Sequence, residues 1–225
     1  MPIDLQQEVQ RNSWWAGRRY EAPTIDVLRS WFEGATRFVD IGANYGFYAY
    51  FAASYSDAEV YAFEPNPDLH QLMVGVKDSN GMAHFYPQLL GLSDEKAMLP
   101  LHVCASDLGW STFGQHPDQW PVGVEAEMTT FDSWLGEEGI ALPDQPEWVA
   151  KIDVEGFELR TLRGMRGALE ARAFRGLAIE LNEFTLRFCG ATTKEVASLL
   201  AETGYRETTV GTRPNRSLNR FFVPR

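Results

Sequence analysis

At 225 residues the chain suits one sizeable α/β domain and is too short for two full ones joined by a linker. A hydrophobic content of 44% with 13% aromatic residues excludes wholesale disorder. The formal charge of -11 removes the basic footprint that nucleic acid or an anionic membrane requires, so neither is expected as a partner. No apolar stretch approaches the roughly 20 residues of a membrane span, and residues 1–10 are polar rather than signal-like. A cytoplasmic location is the expectation. Cys104 and Cys189 fit neither a metal-ligand spacing nor a disulfide framework and read as reduced packing residues.

Residues 1–33 read as an N-terminal arm followed by a helix. The arm holds Trp14, Trp15 and Arg18-Arg19-Tyr20. The two tryptophans are expected to dock onto the domain, with a lid or a dimer contact as the alternatives, so a homodimer is allowed. Thr24 is the expected N-cap, Ile25, Leu28, Trp31 and Phe32 recur at helical spacing, and Gly34 is the stop. Residues 38–46, FVDIGANYG, read as a buried parallel strand feeding a glycine turn and the N-terminus of a helix over 47–55, a junction that holds a nucleotide. The second strand covers 59–64 and ends at Pro65. Asn66 then caps a helix with Pro67 at its first position, Asp68 at its positive end, and Leu69, Leu72, Met73 and Val76 on its apolar face.

A third strand lies within 84–90 and runs on into Gly91-Leu92-Ser93-Asp94. Two short strands, 98–103 and 122–128, flank a loop containing Trp110 and Phe113 and closing with Trp120-Pro121. The stretch 97–128 is therefore expected as an insertion near the substrate, with a purely decorative hairpin as the alternative. Thr130 starts a helical stretch over 131–135, and 139–146 is a loop. The fourth strand covers 148–153, Leu159, Leu162, Met165 and Leu169 mark a helix, and 176–181 is the fifth strand. Thr192 and Glu195 form a capping box for a helix that buries Val196, Leu199 and Leu200 and ends at Gly204. Two last strands, 206–210 and 218–223, pair antiparallel across a short connection, so the sheet is expected to be parallel except at one edge.

The chemistry converges at the strand ends. An acid ending the second strand about 20 residues after a glycine turn is placed to bond ribose hydroxyls, which assigns Glu64. If the winding reverses after the third strand, the first and fourth strands are neighbours and the Gly42 turn faces Asp153-Val154-Glu155-Gly156. Lys151, Asp153 and Glu155 then share one face of an extended strand, with Glu180 and Asn182 at the same level. A Lys151–carboxylate ion pair is the plain reading of the lysine, and Asp153 and Glu155 are the candidate functional acids. Such acids can hold a divalent cation, but His70, His84, His102 and His116 are scattered and no metal is expected. A dinucleotide turn has glycine at its first, third and sixth positions. Here those positions are Gly42, Asn44 and Phe47, and the bulky sixth argues against that cofactor.

The ordered series FVDIGANYGFYAYFA, VYAFEPNPDLHQLM, LLGLSD, TTFDSWL, VAKIDVEGFELRTLRGM and LAIELNE resembles the FkbM family of S-adenosylmethionine-dependent methyltransferases over roughly residues 34–206. The resemblance implies an enzyme with the class I methyltransferase fold. This is a single Rossmann-like, doubly wound domain with a seven-stranded, mostly parallel sheet, an antiparallel last strand and helices on both faces. By position it implies cofactor binding by Asp40, Gly42, Ala43, Asn44 and Gly46, ribose contact by Glu64 with Pro65, and adenine contact near Leu92 and Ser93. Asp153 is placed at the methionine end, and Asp153 and Glu155 at the reaction centre. The implied reaction is O-methylation of a hydroxyl on a sugar or secondary metabolite, a small-molecule or glycan-type acceptor, with S-adenosylhomocysteine as product. N- or carboxyl-methylation of a small molecule, or cofactor binding without catalysis, are the alternatives. Gly91 departs from the family's usual alanine, and the region around Trp110 and Trp120 is only loosely family-like.

Overall fold

The computed structural model describes residues 11, 21–104, 111–114, 121–208 and 218–225. The expectations for Trp14, Trp15, Trp110, Trp120 and His116 fall outside these residues. A seven-stranded sheet in the order β3-β2-β1-β7-β8-β10-β9 forms the body. Its strands are β1 (Arg37–Ile41), β2 (Glu59–Phe63), β3 (Phe85–Gln88), β7 (Trp148–Ile152), β8 (Phe174–Glu180), β9 (Tyr205–Thr208) and β10 (Asn219–Pro224). Strands β3, β2, β1, β7 and β8 pair in parallel, so winding runs outward through β3 and reverses at β7, as the sequence implied.

The last strand in the chain, β10, is antiparallel as implied, but it is not the outermost strand. β10 runs antiparallel to both β8 and β9 and lies between them, which leaves β9 at the edge running with the rest. A strand-order inversion of this kind leaves no trace in hydrophobic periodicity, because either placement satisfies the same hairpin.

Helices cover both faces because the core strands are apolar on both sides. Against one face lie α1 (Ala22–Trp31), α2 (Phe47–Tyr55) and α3 (Pro67–Asn80), packing Val27, Leu28, Ala49, Ala52 and Met73 on Phe38, Val60 and Val149. Against the other lie α4 (Phe131–Glu137), α5 (Glu158–Gly164), α6 (Arg166–Glu170) and α8 (Thr193–Glu202), burying Trp134, Leu162, Leu169 and Leu200 on Val39, Ile152 and Leu177. α7 (Glu183–Phe188), a short helix capped by Asn182, follows β8. It was not foreseen. Among the described residues no helix is long and apolar enough to cross a membrane.

Local signals set several element boundaries. Asn66 Oδ1 accepts from Asp68 N at 2.9 Å, with Pro67 in the first turn, and starts α3 as expected. Thr192 Oγ1 accepts from Glu195 N at 3.3 Å at the start of α8. The first helix departs from expectation, since it begins at Ala22 and Thr24 lies buried within it, donating from Oγ1 to Glu21 Oε2 at 3.2 Å. The helix expected through Leu159 and Leu169 is broken at Met165 into α5 and α6.

The insertion is a second, three-stranded sheet ordered β4-β6-β5, built from β4 (Gly91–Leu92), β5 (Ala97–His102) and β6 (Val122–Thr129). β4 pairs in parallel with β6, so the segment after β3 leaves the main sheet and seeds the insertion instead of extending it.

Candidate active site

A cavity of about 340 Å³ opens where the carboxyl ends of β1, β2, β7 and β8 meet the insertion. Its floor is the β1–β7 crossover of direction, the place where a doubly wound sheet leaves a crevice. Gly42, at φ +76, is pressed so closely on β7 that a Cβ there would lie 1.9 Å from the Asp153 carbonyl oxygen. Only glycine permits that approach in that conformation. Gly42 N and Ala43 N both donate to Phe63 O at 3.0 Å, and Asp153 N donates to Ile41 O at 2.9 Å, so the turn is stitched to both neighbouring strands.

Glu64 is only 7% exposed, and each of its oxygens accepts a backbone N–H: Asn44 N at 2.8 Å on Oε2 and Asn66 N at 2.9 Å on Oε1. Burial pushes its pKa up to about 7 against the pull of these two donors. Asn44, itself in the left-handed region at φ 53, is held there with its Oδ1 accepting from Tyr45 N at 2.7 Å. Asp40 is buried at the end of β1, and the loss of solvent raises its pKa to about 7, with the Lys151 charge opposing the rise.

Across the crevice, Lys151 is fully buried, with Nζ donating to Asp153 Oδ2 at 2.9 Å and lying 5.2 Å above the Tyr48 ring. The expected ion pair therefore exists. The expectation that Lys151, Asp153 and Glu155 share one strand face needs correction, because β7 stops at Ile152 and Glu155 turns into the left-handed region at φ 47. Thr112 Oγ1 donates to Glu155 O at 2.7 Å, fixing this turn from the insertion. Glu158, buried beneath, accepts from Val154 N at 3.3 Å and Gly156 N at 3.2 Å through Oε1, and burial raises its pKa to about 7.

Burial and neighbouring charge raise the proton affinity of two acids of this wall. Burial, then the charges of Asp153 and Glu180, push the Glu155 carboxyl well above the usual carboxylate range. The charge of Asp153, then burial, pushes Glu180 up to about 8. A carboxyl raised in this way can pass a proton at a higher pH than a free one. Among the described residues no cluster of three or more His, Cys, Asp or Glu side chains is arranged to hold a metal ion.

Of the residues singled out in the sequence, Asp40, Gly42, Ala43, Asn44, Glu64, Pro65, Leu92, Asp153 and Glu155 line the cavity. Gly46 and Ser93 stand behind it. Gly46, at φ 91, starts α2 where a Cβ would meet the Tyr50 ring at 2.7 Å, and Ser93 is buried with its Oγ donating to Asp94. Gly91 replaces the larger residue for a local reason, as a Cβ there would lie 2.4 Å from Met128 Sδ. Sequence reading missed Glu21 and Tyr48, which also form the wall, whereas Ser111 and Phe113 come from the stretch expected near the substrate. Periodicity could have placed Tyr48 on the inner face of α2, but Glu21 and the 111–114 segment reach the cavity through irregular backbone.

The fold and site define a class I methyltransferase architecture, and the comparisons narrow it. The Methyltransferase FkbM domain matches residues 40–207. The chain is 30% identical over 184 residues to "Hexuronic acid methyltransferase AglP" of Haloferax volcanii, covering 79% of this chain and 67% of that protein. It thus belongs to the FkbM family of S-adenosylmethionine-dependent methyltransferases. Two solved structures share the fold. WbdD, co-crystallised with the kinase inhibitor LY294002, aligns at TM-score 0.53 and 13% identity over 100% of this chain and 46% of that one. SMU.1697c from Streptococcus mutans, in complex with SAH, aligns at TM-score 0.50 and 11% identity over 88% and 93%.

Proposed function

We propose that the protein transfers a methyl group from S-adenosylmethionine to a hydroxyl of a sugar or secondary metabolite. The observation that carries this reading is the contact of the Gly42 turn with Asp153, which puts the nucleotide-binding junction and the buried acids in one cavity. The cavity fits the cofactor on its own chemistry. Glu64 presents a carboxylate oriented by two backbone donors, suited to accept from ribose hydroxyls. Phe63, Leu90, Leu92 and Phe157 are apolar lining residues suited to a base, and Asp153 is an acceptor suited to an ammonium. The relative's name, with its sugar acid, supports a carbohydrate-type acceptor.

When bound, S-adenosylmethionine supplies a methyl already activated on a sulfonium, so the protein's task is to orient the acceptor and take its proton. Asp153 is committed to Lys151, which leaves it an orienting carboxylate. Glu155 lines the cavity without that ion pair and, in its ionised form, is the residue that would take the hydroxyl proton of a bound acceptor. Burial, then the charges of Asp153 and Glu180, raise the proton affinity of Glu155. Titration with S-adenosylhomocysteine tests the cofactor site, and turnover against a panel of hydroxyl acceptors tests transfer. Near-normal turnover in both Glu155→Gln and Asp153→Asn, with intact cofactor binding, would overturn the assignment.

A further inference from the structure

Glu21 lines the cavity beside Tyr48 and Asn219, toward β10 rather than toward the Glu64 turn at the end of β2, and its surroundings are built around it. Its backbone is left-handed at φ 48, an unusual state for a side-chain-bearing residue. One carboxylate oxygen, Oε2, collects donors from three elements: Thr24 Oγ1 of α1 at 3.2 Å, Tyr48 Oη of α2 at 3.0 Å and Asn219 Nδ2 of β10 at 3.4 Å. An oxygen so saturated fixes the plane of the carboxylate and leaves Oε1 as the group available to a ligand. The wall it joins offers hydrogen-bond acceptors and little else that is charged. Asp153, Glu155 and Glu180 lie in the same wall, and no lysine or arginine is among its described residues. Asp40 Oδ2, in the wall of the same cavity, has no hydrogen-bond partner among the described residues. A ligand entering this chamber satisfies it by bringing donors, and one bringing a carboxylate meets the Glu21 carboxylate at close range.

We propose that Glu21 is an acceptor-binding residue that receives a hydrogen bond from an acceptor hydroxyl, and that it selects a neutral polyol over a carboxylate-bearing sugar. The inference rests on the methyltransferase reading and separates this chain from its relative, whose name specifies a hexuronic acid.

Saturation-transfer NMR and titration on the full chain loaded with S-adenosylhomocysteine test it, with methyl glucopyranoside and glucuronate as a matched pair of probes. The neutral glycoside is expected to bind at least about tenfold more tightly than glucuronate, the ratio that roughly 1.4 kcal/mol of charge repulsion produces. Glu21→Gln keeps the shape, removes the charge, and is expected to shrink that ratio to about threefold or less, with S-adenosylhomocysteine affinity unchanged. Equal or tighter binding of glucuronate by the wild type, binding of neither sugar, or an unchanged ratio in Glu21→Gln overturns the proposal. The wild-type ratio decides the selectivity claim even where the variant does not fold, and Glu21→Ala then tests the residue. Failure of S-adenosylhomocysteine to bind at all refutes the cofactor reading instead.

Discussion

Replacing Gly42 by alanine tests the junction on which the site depends. The added Cβ would fall 1.9 Å from the Asp153 carbonyl oxygen, against the 3.0 Å that real Cβ contacts respect, and the obstructing atom is backbone, so no rotamer relieves it. Strands β1 and β7 must part by roughly 1 Å at their carboxyl ends, a displacement of the size that costs about 10²-fold when it misplaces a bound group. The alanine also enters the left-handed region at roughly 1–2 kcal/mol. Loss of the Asp153 N to Ile41 O bond adds about 1 kcal/mol. Together these predict a destabilisation of about 2–3 kcal/mol, or a fall in melting temperature of roughly 5–10 °C for a chain of this size. Affinity for S-adenosylhomocysteine is expected to drop about 100-fold. Gly136→Ala is the control, since a Cβ there meets nothing within 4 Å in α4 and should stabilise by about 0.5–1 kcal/mol. Scanning fluorimetry and titration calorimetry read both outcomes. A Gly42→Ala protein that melts and binds like the wild type would refute the reasoning, and so would equal effects at the two glycines.

Three further outcomes are expected. Glu64→Gln sets an amide nitrogen against one of the two backbone donors that the carboxylate now accepts, and should weaken S-adenosylhomocysteine binding by roughly 10- to 100-fold; calorimetry showing less than a twofold change would contradict this. Methyl-transfer rate should rise with pH as Glu155, its carboxyl raised by burial and by the charges of Asp153 and Glu180, ionises, and a profile flat or falling with pH counts against a carboxylate base. Burial raises the Glu158 carboxyl from its ordinary 4.5 to about 7, so the folded state holds its proton more tightly than the unfolded chain. Stability from this group is full below about 4.5 and is lost as pH rises through about 7. Glu158→Gln keeps an acceptor for Val154 N and Gly156 N and should raise stability at pH 8 by at most about 3 kcal/mol, with no gain at pH 4.5; chemical denaturation at both pH values checks it.

The parts of this molecule legible in the sequence are those whose local geometry leaves a mark on individual residues. FVDIGANYG could be read because a buried strand, a positive-φ glycine and a helix start each leave a residue-level mark. Glu64 was legible through its fixed distance from that turn. The face shared by Lys151, Asp153 and Glu155 was misread because alternation presumes extended backbone, and the chain abandons it at Ile152. What holds Glu155 in its turn is Thr112, 43 residues away, a separation no period can encode. Glu21 was hidden for a similar reason, since its partners come from α1, α2 and β10 and its own backbone is irregular.

The placement of β10 between β8 and β9 has a consequence for how the chain acquires its structure. β8 cannot be completed by the strand that follows it, because β9 makes its bonds to β10 and not to β8. Until the β9–β10 hairpin docks, β8 presents an unpaired edge whose Gly176, Leu177, Ala178 and Ile179 are destined for the core, a template for pairing between chains. Refolding yield should therefore depend on protein concentration most steeply in the interval before that hairpin inserts, and substitutions that slow the insertion will surface as aggregation well before they register as lost activity.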